Sequence, residues 1–263
     1  MNEQSPSPSP EDILLLAAEA ARIVLKSGAE TYRAEETAQT FCSALGGVEA
    51  ECFATPTGIL LSFFGRDGRS HAIVRRVTGR SMNLERIARV HLLTQDLYSG
   101  RMDFTRASAE LARIERISAY PLSVSLLAAA AAAGFFTLLF GGAWNDAIVA
   151  APLGLILSRL TRRLAHKGIS DFFTNIVGGA FTALSCLAAG WLGLATSPDT
   201  AIIGVIMLLV PGVAITNAIR DTIAGDLVAG VARGADAFIS AAGISIGAGA
   251  AFGLWRILGL GSV

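Results

Sequence analysis

The sequence predicts a membrane protein: a cytoplasmic α+β domain followed by an all-α bundle of five transmembrane helices. Three observations carry this. Charge is uneven, with 29 of the 42 Asp, Glu, Lys and Arg in residues 1–120 and only 13 in residues 121–263, too few to cover a water-facing surface. The chain is apolar overall, with 52% hydrophobic residues and a mean hydropathy of +0.55. Its second part reads as long apolar runs joined by short loops, whereas its first part changes from helical to strand periodicity and back. The formal net charge is 0, so no basic excess points to nucleic acid.

Residues 1–10 (MNEQSPSPSP) are polar and rich in Pro and Ser. They lack the charged start, apolar run and small-residue cleavage site of a signal peptide, and a disordered tail is expected. Residues 11–118 form the expected cytoplasmic domain. In residues 11–27 apolar side chains recur three and four apart, an amphipathic helix that Gly28 stops. A second helix is expected over Glu30–Ala44, ended by Gly46 and Gly47. Residues 48–54 and 58–64, rich in Val, Thr, Ile and Phe, read as strands separated by Thr55-Pro56-Thr57-Gly58. Gly65-Arg66-Asp67-Gly68 reads as a turn and 71–77 as a third strand, followed by helices at 83–99 and 104–118.

This domain shows no catalytic constellation. His71, His91 and His166 are far apart, and there is no GxSxG, HExxH or phosphate loop. His91 reads as an interfacial side chain, and Glu30, Glu35 and Glu36 as surface acids near a positive helix start. Cys42, Cys52 and Cys186 form no CxxC and no even framework, so neither a disulfide scaffold nor a metal is expected, and no cofactor.

Residues 119–263 form the expected transmembrane domain. Crossing the hydrocarbon takes roughly 20 mostly apolar residues. Five candidates occur, at about 122–140, 145–160, 172–194, 201–219 and 237–257. The first, third and fifth are clear; the second is short and contains Pro152, and the fourth contains Pro211-Gly212, which predicts a kink or break. Arg159, Arg162, Arg163 and Lys167 lie between spans two and three, and Arg220 and Arg233 between spans four and five, while the loops at 141–145 and 195–200 carry no Lys or Arg. The basic side, which includes the first domain, is therefore cytoplasmic, the C-terminus is outside, and a cell inner membrane is implied. Trp144, Trp191 and Trp255 fall at the expected outer ends of spans. Gly230 and Gly234, Gly243 and Gly247, and Gly249 and Gly253 are four apart, spacing that lets a neighbouring helix approach span five. Asp146 and Asp171 read as boundary residues.

The most informative stretch runs from Pro211-Gly212 through Thr216, Asn217, Arg220 and Asp221 to Asp226, Arg233 and Asp236. A Pro-Gly pair frees backbone groups that, at membrane depth, need protein or a water-filled cavity to satisfy them. Ions placed at depth should face such a cavity and pair. Asn175, near the start of span three, is a further polar candidate.

The order of these parts, with SGAETYRAEET (27–37), TPTGI (55–59) and PGVAITNAIRDTIAGDLVAGVARG (211–234), resembles the larger half of the threonine/serine exporter family from about residue 12 to 258. In fused members a second hydrophobic half follows in the same chain. The resemblance therefore implies a separate small membrane partner and an oligomer. Split relatives are also associated with dicarboxylates such as succinate. Under this reading Pro211, Gly212, Thr216, Asn217, Arg220 and Asn175 would meet a small amino acid or acid, and Asp221, Asp226, Arg233 and Asp236 would form ion pairs or carry a coupling proton. A membrane-anchored enzyme and a regulatory subunit are the rival classes. Five spans with a polar, broken fourth exceed what an anchor requires.

Overall fold

A computed structural model of the chain describes residues 8–65, 67–79, 81–118 and 120–259. Residues 1–7 of the expected tail and Arg66 of the expected turn lie outside this range. Ser9 and Pro10 do not belong to a tail. Ser9 Oγ accepts from Asp12 N (3.2 Å) while Asp12 Oδ2 accepts from Ser9 N (3.3 Å), and Pro10 sits at the first helical position. This capping box fixes the start of α1, Pro10–Lys26.

The described residues through 118 form one compact unit, which also includes Val213–Gly234. Apolar composition alone assigns those last residues to the membrane part, but they pack with the first unit. α2 (Thr31–Ala44) packs on α1, and three strands follow, β1 (Val48–Thr55), β2 (Gly58–Phe64) and β3 (Ser70–Arg76). They make an antiparallel meander in the order β1-β2-β3. Thr55 pairs with Gly58, so Pro56 and Thr57 are simply the two central residues of a tight hairpin. Alternation puts Ile59, Leu61 and Phe63 inside, against Ile23 of α1 and Phe41 of α2. α3 (Leu84–Tyr98) and α4 (Phe104–Glu115) start at Asn83 and Asp103, whose side chains accept from Arg86 N (3.1 Å) and Arg106 N (2.8 Å). Val90, Leu93, Leu97, Leu111 and Ile114 complete the core.

Tyr120–Gly212 and the described residues from Ala235 onward form the second unit. It contains α5 (Leu122–Leu139), α6 (Trp144–His166), α7 (Asp171–Trp191), α8 (Pro198–Ile206) and most of α10 (Leu227–Ile257). α5, α7 and α10 are long and apolar enough to cross a membrane. These are the three spans that were clear in the sequence. Outward-facing Leu127, Phe135, Ile148, Phe173, Phe238 and Ile246 are exposed, an arrangement suited to lipid rather than water.

Inside this unit glycine sets the spacing. A Cβ on Gly154 would meet Ala133 Cβ at 2.5 Å, one on Gly179 would meet Ile244 O at 2.5 Å, and one on Gly243 would meet Phe172 O at 2.9 Å. A Cβ on Gly247 would overlap Ile176 O. The partner of span five, left open by the sequence, is thus α7. Gly234, Gly249 and Gly253 meet nothing within 4 Å among the described residues, so only part of the glycine spacing marks a contact.

Asp146 stands at the start of α6, a boundary position, and is fully buried there. Its Oδ2 accepts from Ala143 N (2.8 Å), and its Oδ1 accepts from Thr196 N (2.6 Å) and Ser197 N (2.9 Å). One carboxylate therefore caps α6 and binds the α7–α8 loop to it. Trp144 and Trp191 are exposed as expected, but Trp255 is buried and packs in the core of this unit.

Candidate functional site

The helix that begins at Pro198 stops at Ile206, and α9 (Gly212–Ile223) starts beyond Pro211. The fourth apolar run is therefore broken, as Pro211-Gly212 predicts, because Pro has no N–H to give and crowds the preceding turn. Met207–Val210 bridge the gap with short-range bonds such as Leu209 N to Ile206 O (2.7 Å). Gly225, at φ +95°, then turns the chain into α10. The two helices lie close at Gly230, where a Cβ would come 3.0 Å from Ala218 O.

α9 carries Asn217, Arg220 and Asp221 three and four residues apart, hence on one face. That face meets the link between α1 and α2, where Gly28 adopts φ +93°. Asn217 Nδ2 donates to Gly28 O (2.8 Å), and Arg233 Nη2 of α10 donates to Ala29 O (2.7 Å). Arg220 pairs with Glu30, whose other oxygen lies 3.0 Å from Arg33 Nε. Thr31 N and Thr31 Oγ1 donate to Asp221 Oδ1 and Oδ2, each at 3.1 Å. Arg233 Nε completes the set, 2.9 Å from Asp221 Oδ2.

The physical logic is that of a helix cap supplied from a distance. Glu30, the N-cap of α2, makes no side-chain capping bond. The first N–H groups of a helix need acceptors, and a carboxylate there also meets the positive end of the helix dipole. Asp221 fills that role from 190 residues away. It is fully buried and Arg233 nearly so, and such a pair repays its desolvation only when further bonds satisfy it. Thr31 and Ala29 supply those bonds.

The charges beside this clasp differ in character. Burial pushes the Glu30 carboxyl up, but its own backbone N–H, Arg220 and Arg33 together hold it below the usual value. Glu35 is pushed up by burial and by the negative charge of Asp226 and Asp221, although Ala54 N donates to its Oε1 at 2.8 Å. Asp226 is raised by burial and by Asp221. It lines a small cavity of about 140 Å³ with Phe53, Ala54 and Gly225.

The sequence-derived candidates thus sort into groups. Asn217, Arg220, Asp221 and Arg233 come together on the 28–31 link, with Asp226 beside them. Pro211 and Gly212 form the break, and Thr216 is exposed on α9. Asn175, half-buried on α7, and Asp236, exposed on α10, belong to the other unit. Glu30 is buried and paired, not the solvated surface acid the sequence suggested. Thr31 and the carbonyls of Gly28 and Ala29 are partners the sequence reading missed. Only the SGAE run ahead of a helix without its own cap hinted at them. Among the described residues no cluster of His, Cys, Asp and Glu is arranged to hold a metal ion.

Long apolar helices with glycine-set spacing are the marks of a membrane protein. Residues 15–255 match the model of the threonine/serine exporter family, ThrE, and the chain belongs to that family. It is 30% identical over 240 residues to a probable threonine/serine exporter of Mycobacterium tuberculosis, covering 89% of this chain and 45% of the relative. Identity to the threonine/serine exporter of Corynebacterium glutamicum is 27%, covering 94% and 52%. A probable succinate transporter subunit, YjjP, of Klebsiella aerogenes is 25% identical, covering 93% and 94%. The chain therefore spans about half the length of the two exporters and nearly all of the transporter subunit. These relatives are named as transporters, not enzymes. No solved structure matches the chain.

Proposed function

We propose that the chain is the larger subunit of an inner-membrane exporter of small amino acids, threonine and serine, working with a separate small membrane partner. The observation that carries this reading is the interruption between Ile206 and Gly212, followed within two turns by a polar face, inside the region that matches the family. The word "subunit" in the relative that this chain covers almost end to end supports a partner. The same coverage favours succinate as the second reading of the solute.

In this reading α5, α6, α7, the interrupted α8 segment and α10 cross the membrane as five spans, with the N-terminus cytoplasmic and the C-terminus outside. Support comes from Asp146, which ties residue 143 to residues 196 and 197 and so gathers the two loops without Lys or Arg at one end of their unit. The interrupted backbone at Pro211 and Gly212 would provide hydrogen-bonding groups to the solute. Asn217, Arg220, Asp221 and Arg233 first serve to clasp the α9–α10 hairpin to the 28–31 link. Release of the clasp is the step that exposes Asn217, Asp221 and Arg233, which are buried while it is closed. Asp226 and Glu35, which burial and neighbouring negative charge make easier to protonate than an ordinary carboxyl, lie beside the clasp as the candidates for a coupling proton, whereas Asp221 is committed to Arg233 and Thr31.

The test is efflux of labelled threonine, serine and succinate from cells lacking the gene, re-expressing this chain, a candidate partner, or both. Export only with both chains is expected, and the exported solute separates the two readings. Full export with the partner alone contradicts the proposal.

A further inference from the structure

α2 and α3 face each other across a cleft of about 700 Å³ floored by Val24 of α1. Two helices of a core would meet there through Leu, Val or Ala. Instead α2 turns Arg33, Glu36 and Thr40 into the space, and α3 turns His91 and Gln95. The spacings of three, four and seven residues place each set on one helix face. The cleft thus combines an apolar floor with a few convergent polar groups of both charges, the usual make-up of a small-molecule site. Gln95 Nε2 and His91 Nε2 lie 3.1 Å apart on the exposed far wall. Arg33 has a second tie: its Nε is 3.0 Å from Glu30, the same carboxylate that pairs with Arg220 of α9.

We propose that this cleft binds a small carboxylate metabolite, with Arg33 taking the carboxylate, and that binding there leaves Glu30 to Arg220 and so tightens the clasp on α9. Glu36 faces an ammonium group where the ligand has one, which makes amino acids better ligands than dicarboxylates. The cleft then senses the cytoplasmic pool of the solute class. The choice of ligand and the cytoplasmic side rest on the exporter reading. The site itself rests on the cleft and the shared Glu30.

The test uses the full chain in lipid nanodiscs, with labelled L-threonine, L-serine and succinate measured separately by equilibrium binding. Saturable binding of at least one is expected. Arg33→Gln should weaken it at least tenfold, and Thr40→Phe, which fills the cleft from a half-buried position, should do the same. Glu36→Gln should weaken threonine and serine but not succinate. Hydrogen exchange of the α9 amides should slow on ligand addition in the wild type and not in Arg33→Gln. Binding unaffected by both Arg33→Gln and Thr40→Phe, or no binding, overturns the site. Unchanged α9 exchange overturns its coupling to the clasp. Efflux that continues while the cleft binds nothing leaves the exporter reading intact, and binding without efflux in the presence of the partner does the reverse.

Discussion

In the α9–α10 hairpin, residues 217–233 are held by a carboxylate, two guanidinium groups and an amide that bond to the 28–31 link. In the second unit, neighbouring helices approach where side chains are absent, with Gly154, Gly179 and Gly247 against a neighbour's Cβ or backbone oxygen. Close packing of that kind has no half-way state, since any separation loses dispersion contacts and admits nothing in return. Polar bonds can be exchanged for bonds to water or solute at modest net cost. The difference is one of chemistry: the glycine contacts have nothing to exchange for, whereas the bonds of the clasp do, and the proposed mechanism uses the clasp as the part that opens.

Mutations can break this contrast, and the largest effect is expected at its most buried ion. Asp221→Ala leaves Arg233 buried without its carboxylate and α2 without its cap, and should cost about 3–5 kcal/mol, read as a lowered thermal unfolding temperature in detergent. The double variant Asp221→Leu with Arg233→Met removes both charges and should recover much of that stability while still failing to export. Recovery of export as well would show that the ions serve stability alone. In the packed unit, Gly247→Val forces a side chain onto Ile176 O and should cost about 1–3 kcal/mol, whereas Gly249→Ala, facing open space, should stay within about 0.5 kcal/mol of the wild type. Asp146→Ala strands the N–H groups of Ala143, Thr196 and Ser197, and is expected to cost about 1–3 kcal/mol.

The smallest effect is one of pH. Glu30 is held below its usual value of 4.5, so the folded state binds its proton less readily than the unfolded chain. Its contribution is present above that value and is lost as pH falls through the lowered one. Glu30→Gln should therefore be less stable than the wild type near neutral pH, with the gap closing in acid. Glu35 is raised, so its sign is opposite: the folded state is penalised as pH rises through the raised value, and Glu35→Gln should be slightly stabilising at neutral pH. Thermal unfolding of both variants across that range checks the two signs.

How much of this was legible in the sequence follows from the range of each interaction. The three strands, the tight hairpin at Pro56-Thr57 and the break at Pro211 are local, and residue type alone dictates them. The clear spans were visible because their composition is extreme. Asp221 reaching Thr31 was not legible, since nothing in either segment marks a partner 190 positions away. The burial of Asp146 and Trp255 was not legible for a related reason. Periodicity places a residue at the end of a span but does not tell whether a second loop or helix covers it there. The glycine pairs divided in the same way, because spacing shows that a close approach is possible and only the neighbour decides whether it occurs.

The most direct test is to fasten the clasp and measure transport. Ala29→Cys and Asn217→Cys, bridged by a cleavable thiol-reactive linker, hold the link and α9 together. Cys42 and Cys52 of the same unit, whose thiols burial pushes up to about 12, should react little and are replaced as a control. Export in the presence of the partner should stop on bridging and return when the linker is cut. Export that continues undiminished through a complete bridge would contradict the account.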